Sequence, residues 1–144
     1  MFSVKSIKVF SILFFTMLLT SLSSALTAAE LTITIKDITK LEGHMLVALY
    51  DTQKDYKSGE SKWSAKVKVD KNEQTVTFKD LPAGDYAVKL YHDENDNNEL
   101  DSNMFGIPKE GYGFSNNKAN FGPSDYQEAK FSIVDNTAIE INLL

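Results

Sequence analysis

The amino-acid sequence predicts an all-β fold: a seven-stranded antiparallel β-sandwich, Ig-like or prealbumin-like. Three observations predict it. Short runs alternate apolar and polar side chains with period two, the pattern of strands with one buried face. Turn residues punctuate these runs at roughly 8–12-residue intervals, apart from two longer loops, which is sandwich spacing. No segment carries a convincing helical period.

The strands follow in order. Leu31, Ile33 and Ile35 alternate with Thr32, Thr34 and Lys36. A turn at Leu41-Glu42-Gly43-His44 leads to Met45–Tyr50 (MLVALY), apolar on both faces and so a central strand. Residues 51–63 break the alternation and read as a surface connection with room for one helical turn, ending at Trp63, the only Trp, packed on the core edge. Ala65, Val67 and Val69 form one short strand and Val76 and Phe78 another; with Asp70–Glu73 as the turn, the two read as a hairpin. Pro82 and Gly84 turn the chain into a strand with Tyr86, Val88 and Leu90 on one face. Ala129, Phe131 and Ile133 form the sixth strand, and Ile139, Ile141 and Leu143 the last. The first and last strands, Leu31–Lys36 and Ala138–Leu143, are candidate edges open to strand addition.

Residues 1–29 read as a secretory signal peptide. Lys5 and Lys8 precede an apolar run, Val9–Leu22, followed by the small residues of SSALTAAE. The run is short of the ~20 residues of a spanning helix, so no membrane span is expected after cleavage. Cleavage after Ala25 and after Ala29 both satisfy the small-residue rule. Residues 30–144 then form one domain, exported to the periplasm or the extracellular space. With no cysteine, that domain has neither disulfides nor thiol chemistry. The chain has a net charge of −5 and all of its basic residues are Lys. Losing Lys5 and Lys8 deepens the charge, and an acidic domain without Arg forks is unsuited to nucleic acid.

The segment His92–Asn117 carries the chemistry. With Asp93 as position 1, Asn95 and Asn97 stand at positions 3 and 5, Glu99 at 7, and Asp101 at 9. Oxygen side chains at 1, 3 and 5 with a backbone carbonyl at 7 are the first half of an EF-hand-type calcium loop. Asn98 stands where such loops need positive φ, which Asn tolerates. Position 12 is Met104, so the closing carboxylate is missing. Further ligands would come from Glu94, Asp96, Glu110 or water. The competing reading is a solvated acidic turn. Beyond it, Phe105, Tyr112 and Phe114 either cap the sandwich or form a platform for ligand contact, with Tyr112 and Phe114 as the contact candidates for a glycan or envelope protein. Lys109-Glu110 is expected to face solvent.

These residues also carry a resemblance. LPAG-Y-AV (Leu81–Val88), HD-N-N-LD (His92–Asp101), FGIPKEGYGFSNN (Phe105–Asn117) and GPSDYQEAKF (Gly122–Phe131) resemble the DUF2141 family of exported bacterial proteins over nearly all of the mature chain. Asn98 stands where that family has Gly. The LPAGDY turn is similar to that of prealbumin-like and carboxypeptidase-regulatory-like sandwiches. The resemblance implies class and export, and no activity.

The expected function is therefore a non-enzymatic binding or structural module of the cell envelope, with Ca2+ held by Asp93, Asn95, Asn97, Glu99 and Asp101. The alternative is an envelope hydrolase using His92 and its neighbouring carboxylates. The chain has no G-x-S-x-G and no H-E-x-x-H.

Overall fold

A computed structural model describes residues 28–119 and 122–144. Apart from Ala28 and Ala29, the predicted leader lies outside the described residues. The chain is an all-β sandwich of two sheets. In chain order the elements are β1 (Ala29–Lys36), β2 (His44–Tyr50), α1 (Gln53–Ser58), β3 (Trp63–Lys68), β4 (Gln74–Leu81), β5 (Gly84–Asp93), β6 (Tyr112–Phe114), α2 (Tyr126–Ala129), β7 (Phe131–Ile133) and β8 (Thr137–Asn142).

One sheet has the order β4-β1-β8, the other β3-β2-β5-β6, with β7 paired to the opening residues of β5. All pairings are antiparallel except β1 with β8, which run parallel. The alternation in β1 does what it predicts: Leu31, Ile33 and Ile35 are fully buried, and the Thr and Lys between them face out. These side chains meet Met45, Val47 and Leu49 of β2 and Val88 and Leu90 of β5 in the core between the sheets. Trp63 packs partly buried on this core, edge-on to Tyr86 with ring centroids 5.7 Å apart.

Three expectations need correction. β3 and β4 are not a hairpin: β3 pairs with β2 and β4 with β1, so the turn between them crosses from one sheet to the other. A local turn signal marks reversal of the chain and leaves the partner open. β1 is not an edge strand, because β4 and β8 flank it. β8 does lie at the end of its sheet, but Asn117 covers part of its free edge: its Nδ2 donates to Glu140 O at 3.2 Å and its Oδ1 accepts from Asn142 N at 2.8 Å. An eighth strand, β6, appears inside the stretch taken for loop, and Ala129 belongs to α2 rather than to the strand that follows.

A second apolar cluster lies outside the β2–β5 sheet. Tyr50, Tyr56, Ala87, Phe114, Tyr126 and Ala129 bury one another beneath α1 and α2. This explains why β2 is apolar on both faces. α1 is capped by Thr52, whose side chain accepts from Asp55 N, and closes on Gly59 at φ 81°. α2 starts with a reciprocal capping box between Asp125 and Glu128. Such caps let very short helices persist over a packed aromatic face.

Candidate functional site

β5 delivers the acidic loop. His92 and Asp93 are its last residues, on opposite faces and both buried. Asp93 pairs with His44, and the preceding Gly43 runs so close that a Cβ there would lie 2.0 Å from Asp93 O. Gly43 also has φ +63°. Only glycine satisfies both conditions.

The Asp93 carboxylate organises the turn. Its Oδ1 accepts from Asn97 N and its Oδ2 from Asn98 N, each at 3.0 Å. Asn95 Oδ1 accepts from Asn97 N at 3.1 Å, and Asn97 Oδ1 accepts from Glu99 N at 2.8 Å. Asp96 and Asn98 both take φ 61°, so the left-handed residue expected at Asn98 has a companion two residues earlier. Asp101 reaches back across the loop: Asn95 Nδ2 donates to its Oδ2 at 2.6 Å and Asn97 Nδ2 to its Oδ1 at 3.3 Å. Asn95, Asn97 and Asp101 therefore meet through their side chains, while Asp93 holds the turn through the backbone N–H groups of Asn97 and Asn98. Glu99 joins through its backbone and is exposed.

Glu110 overturns the expectation that it faces solvent. It is 6% exposed. Its Oε1 accepts from Glu94 N at 2.9 Å and its Oε2 from Asp101 N at 2.8 Å. One carboxylate thus bridges the two ends of the loop. Hydrophobic patterning gives no signal for such a residue, because it is buried by polar partners nine or more positions away.

The carboxylates also have side-chain partners from elsewhere in the chain. Lys40 Nζ bonds Glu94, and His44 Nδ1 bonds Asp96. The Glu94 carboxylate raises the Lys40 pKa, chiefly by hydrogen bonding. Lys66 Nζ donates to Asn98 Oδ1 at 2.7 Å and lies 3.8 Å from Asp93 Oδ2. Lys40 of the β1–β2 connection and Lys66 of β3 therefore neutralise the loop in part.

Among the described residues, no three His, Cys, Asp or Glu side chains are gathered closely enough to hold a metal ion. Asp93, Asn95, Asn97 and Asp101 instead offer two carboxylates and two amides. All four carry oxygen, the donor preferred by calcium and magnesium, though the two amides turn Nδ2 toward Asp101 and Oδ1 toward backbone N–H groups. The chemistry fits a hard cation and not a soft one.

The second half of the loop departs from its grouping in the sequence. Asn103 Oδ1 accepts from Phe105 N and Ile107 N, closing a tight excursion whose tip exposes Met104, Phe105 and Ile107. Tyr112 and Phe114 lie in β6, their rings edge-on at 5.9 Å. Phe114 is buried and Tyr112 half-buried. A cleft of about 670 Å³ runs between these rings and Phe105, Ile107 and Ala119.

His92 is 2% exposed. Its Nε2 is 2.7 Å from Glu42 O, and its backbone N–H donates to Gly111 O at 2.7 Å. It touches a cleft of about 410 Å³ shared with Lys40, Glu94 and Glu110.

A family model described as "Uncharacterized protein conserved in bacteria (DUF2141)" matches residues 33–142. No curated protein and no solved structure matches the chain.

Proposed function

The chain belongs to the DUF2141 family, and on that premise we propose that it is an exported, non-enzymatic module whose acidic loop binds calcium and thereby steadies an apolar contact surface. The observation that supports this reading is the buried Asp93 carboxylate, which holds the turn by two backbone N–H bonds, with the side chains of Asn95 and Asn97 bonded to Asp101 across the same turn. A cation would be held by these four side chains and by the Glu99 carbonyl, replacing the bonds that the two Asn amides now donate to Asp101. Bound there, it neutralises carboxylates that otherwise repel one another. His92 braces the loop in this reading, since its Nε2 is committed to Glu42 O.

The envelope is the proposed compartment, periplasmic or extracellular. Cleavage after Ala25 suits the fold better than cleavage after Ala29, because Ala29 is buried in β1 opposite Leu81. Among the described residues no helix is long and apolar enough to cross a membrane. The exposed tip of Met104, Phe105 and Ile107, with Tyr112 behind it, suits a glycan or an envelope protein as partner.

Calcium is tested by thermal unfolding in chelator and in ~10 mM calcium. A dissociation constant on the order of 10⁻⁴–10⁻³ M, typical of extracellular modules, corresponds to about 1.4–2.7 kcal/mol of stabilisation. The expected rise in Tm is about 5 °C or more, and Asp101→Ala should abolish it. An unchanged Tm in the native protein sinks the calcium reading. For the contact surface, Phe105→Ala and Tyr112→Ala should reduce capture of a partner from envelope extract while leaving Tm within a few degrees.

A further inference from the structure

The outer face of the β3-β2-β5 sheet contains a hollow beside the acidic loop. Two rungs of the sheet form it. In one, Lys66, Leu46 and Tyr91 stand side by side across β3, β2 and β5. In the next, Ser64, Ala48 and Lys89 do the same. The small side chains of Ala48 and Ser64 leave a depression between larger neighbours. Tyr50 and the chain around Ser61 close it on the α1 side, giving a cavity of about 440 Å³ that is open to solvent.

Lys89 is the unusual group there. Lys36, Lys40, Lys62, Lys66, Lys79 and Lys130 all lie within 4.0 Å of a carboxylate. Lys54, Lys57, Lys68, Lys71, Lys109 and Lys118 lack such a partner but are exposed; among the described residues, Lys89 is the half-buried lysine without one. Its Nζ donates to Tyr56 O at 2.6 Å and lies 3.9 Å from the Tyr56 ring centroid and 5.5 Å from that of Tyr50. An ammonium has three N–H donors, and the carbonyl uses one. Burial pushes the Lys89 pKa down, because desolvation disfavours the charged form; the carbonyl and the two ring faces act in the opposite sense and favour the ammonium. In a chain with net charge −5, an uncompensated cation at the edge of a hollow is a ready anion partner.

We propose that this hollow is a binding site for a small organic carboxylate with a flat apolar body, its carboxylate on Lys89 and its body over Leu46 and Ala48 beside Tyr91. The floor supplies apolar area, and the Ser64 hydroxyl is placed for a secondary hydrogen bond; the Tyr91 hydroxyl already donates to Asn98 O at 2.9 Å. Lys66 stands at the far end of the hollow, its charge already shared with Asp93 and Asp96. The openness of the hollow makes binding weak, so selectivity rests on the charge-assisted bond. The site adjoins the acidic loop, since Lys66 Nζ and the Tyr91 hydroxyl both donate to Asn98.

The test uses benzoate as probe and benzyl alcohol as its uncharged counterpart, followed by amide chemical shifts of the full mature protein. Benzoate should produce saturable shifts at Leu46, Ala48, Ser64 and Tyr91, and benzyl alcohol should bind at least tenfold more weakly. Lys89→Met should weaken benzoate at least tenfold. Because that change also removes contacts to two Tyr rings, a second variant, Ser64→Tyr, fills the hollow and keeps Lys89; it should abolish the shifts. Absence of saturable benzoate shifts, equal binding of benzyl alcohol, or undiminished binding in Ser64→Tyr would each overturn the proposal.

Discussion

Glu110→Gln separates two accounts of the acidic loop by the sign of its effect. If the loop is chiefly a cluster of mutually repelling carboxylates, removing one negative charge relieves strain and raises stability by a few tenths of a kcal/mol, as exposed, screened charges do. If Glu110 is a clamp, the same change lowers stability. Gln matches the shape of Glu, but one of its two terminal atoms becomes a donor. That atom then faces the N–H of either Glu94 or Asp101, groups now 2.9 and 2.8 Å from carboxylate oxygens. A bond to a charged acceptor contributes about 1.5–3 kcal/mol, and water entering the exposed loop restores part of it. The expected loss is about 2 kcal/mol, or roughly 8 °C in Tm for a domain of this size. Urea unfolding should show a lower midpoint with an unchanged m value. Hydrogen exchange supplies the local check, since the Glu94 and Asp101 amides should be protected in the native protein and lose that protection in the variant. A Tm equal to or above that of the native protein refutes the clamp.

Two other perturbations follow from the packing and from the tyrosines. Gly113→Ala places a Cβ 2.7 Å from Ile141 Cγ2 and 3.3 Å from both Asn142 O and Leu90 Cδ1, so β6 must move off β8; the overpacking should cost about 1–3 kcal/mol by chemical denaturation. Tyr56 is held far above the ordinary phenol value of 10.0 by burial, with Tyr50 and Asp125 adding to it, and burial also raises Tyr50 and Tyr126. Below pH 10 these phenols are neutral in both states and their contribution is intact. Above it the unfolded chain releases protons first, so stability falls as pH rises. Tyrosinate absorbance should therefore lag in the folded protein and appear together with unfolding; smooth titration near pH 10 with the fold intact would contradict the burial of this cluster.

The strands were legible because half-buried strands write their burial into alternate residues. Leu31, Ile33 and Ile35 announce a buried face, and they have one. Their partners were not legible. A turn at Asp70–Glu73 says that the chain reverses, but pairing of β3 with β2 and of β4 with β1 depends on which apolar faces meet across the sandwich. β6 escaped notice because three residues, one of them Gly, are too short for a period to show.

The acidic loop divides in the same way. Asp93, Asn95, Asn97 and Asp101 bond within nine residues of one another, so their spacing alone announces the turn they make. The roles of Glu110, Lys66 and Gly43 come from contacts that no local pattern encodes: Glu110 folds back on both ends of the loop, Lys66 arrives from β3, and Gly43 passes beneath Asp93. The hollow at Lys89 is the extreme case, because its floor and walls come from three strands brought into register. Local alternation and turn chemistry are short-range and therefore written in sequence order. Which carboxylate is buried, which lysine lacks a counter-ion and which edge is covered depend on distant segments meeting, and only the folded chain decides them.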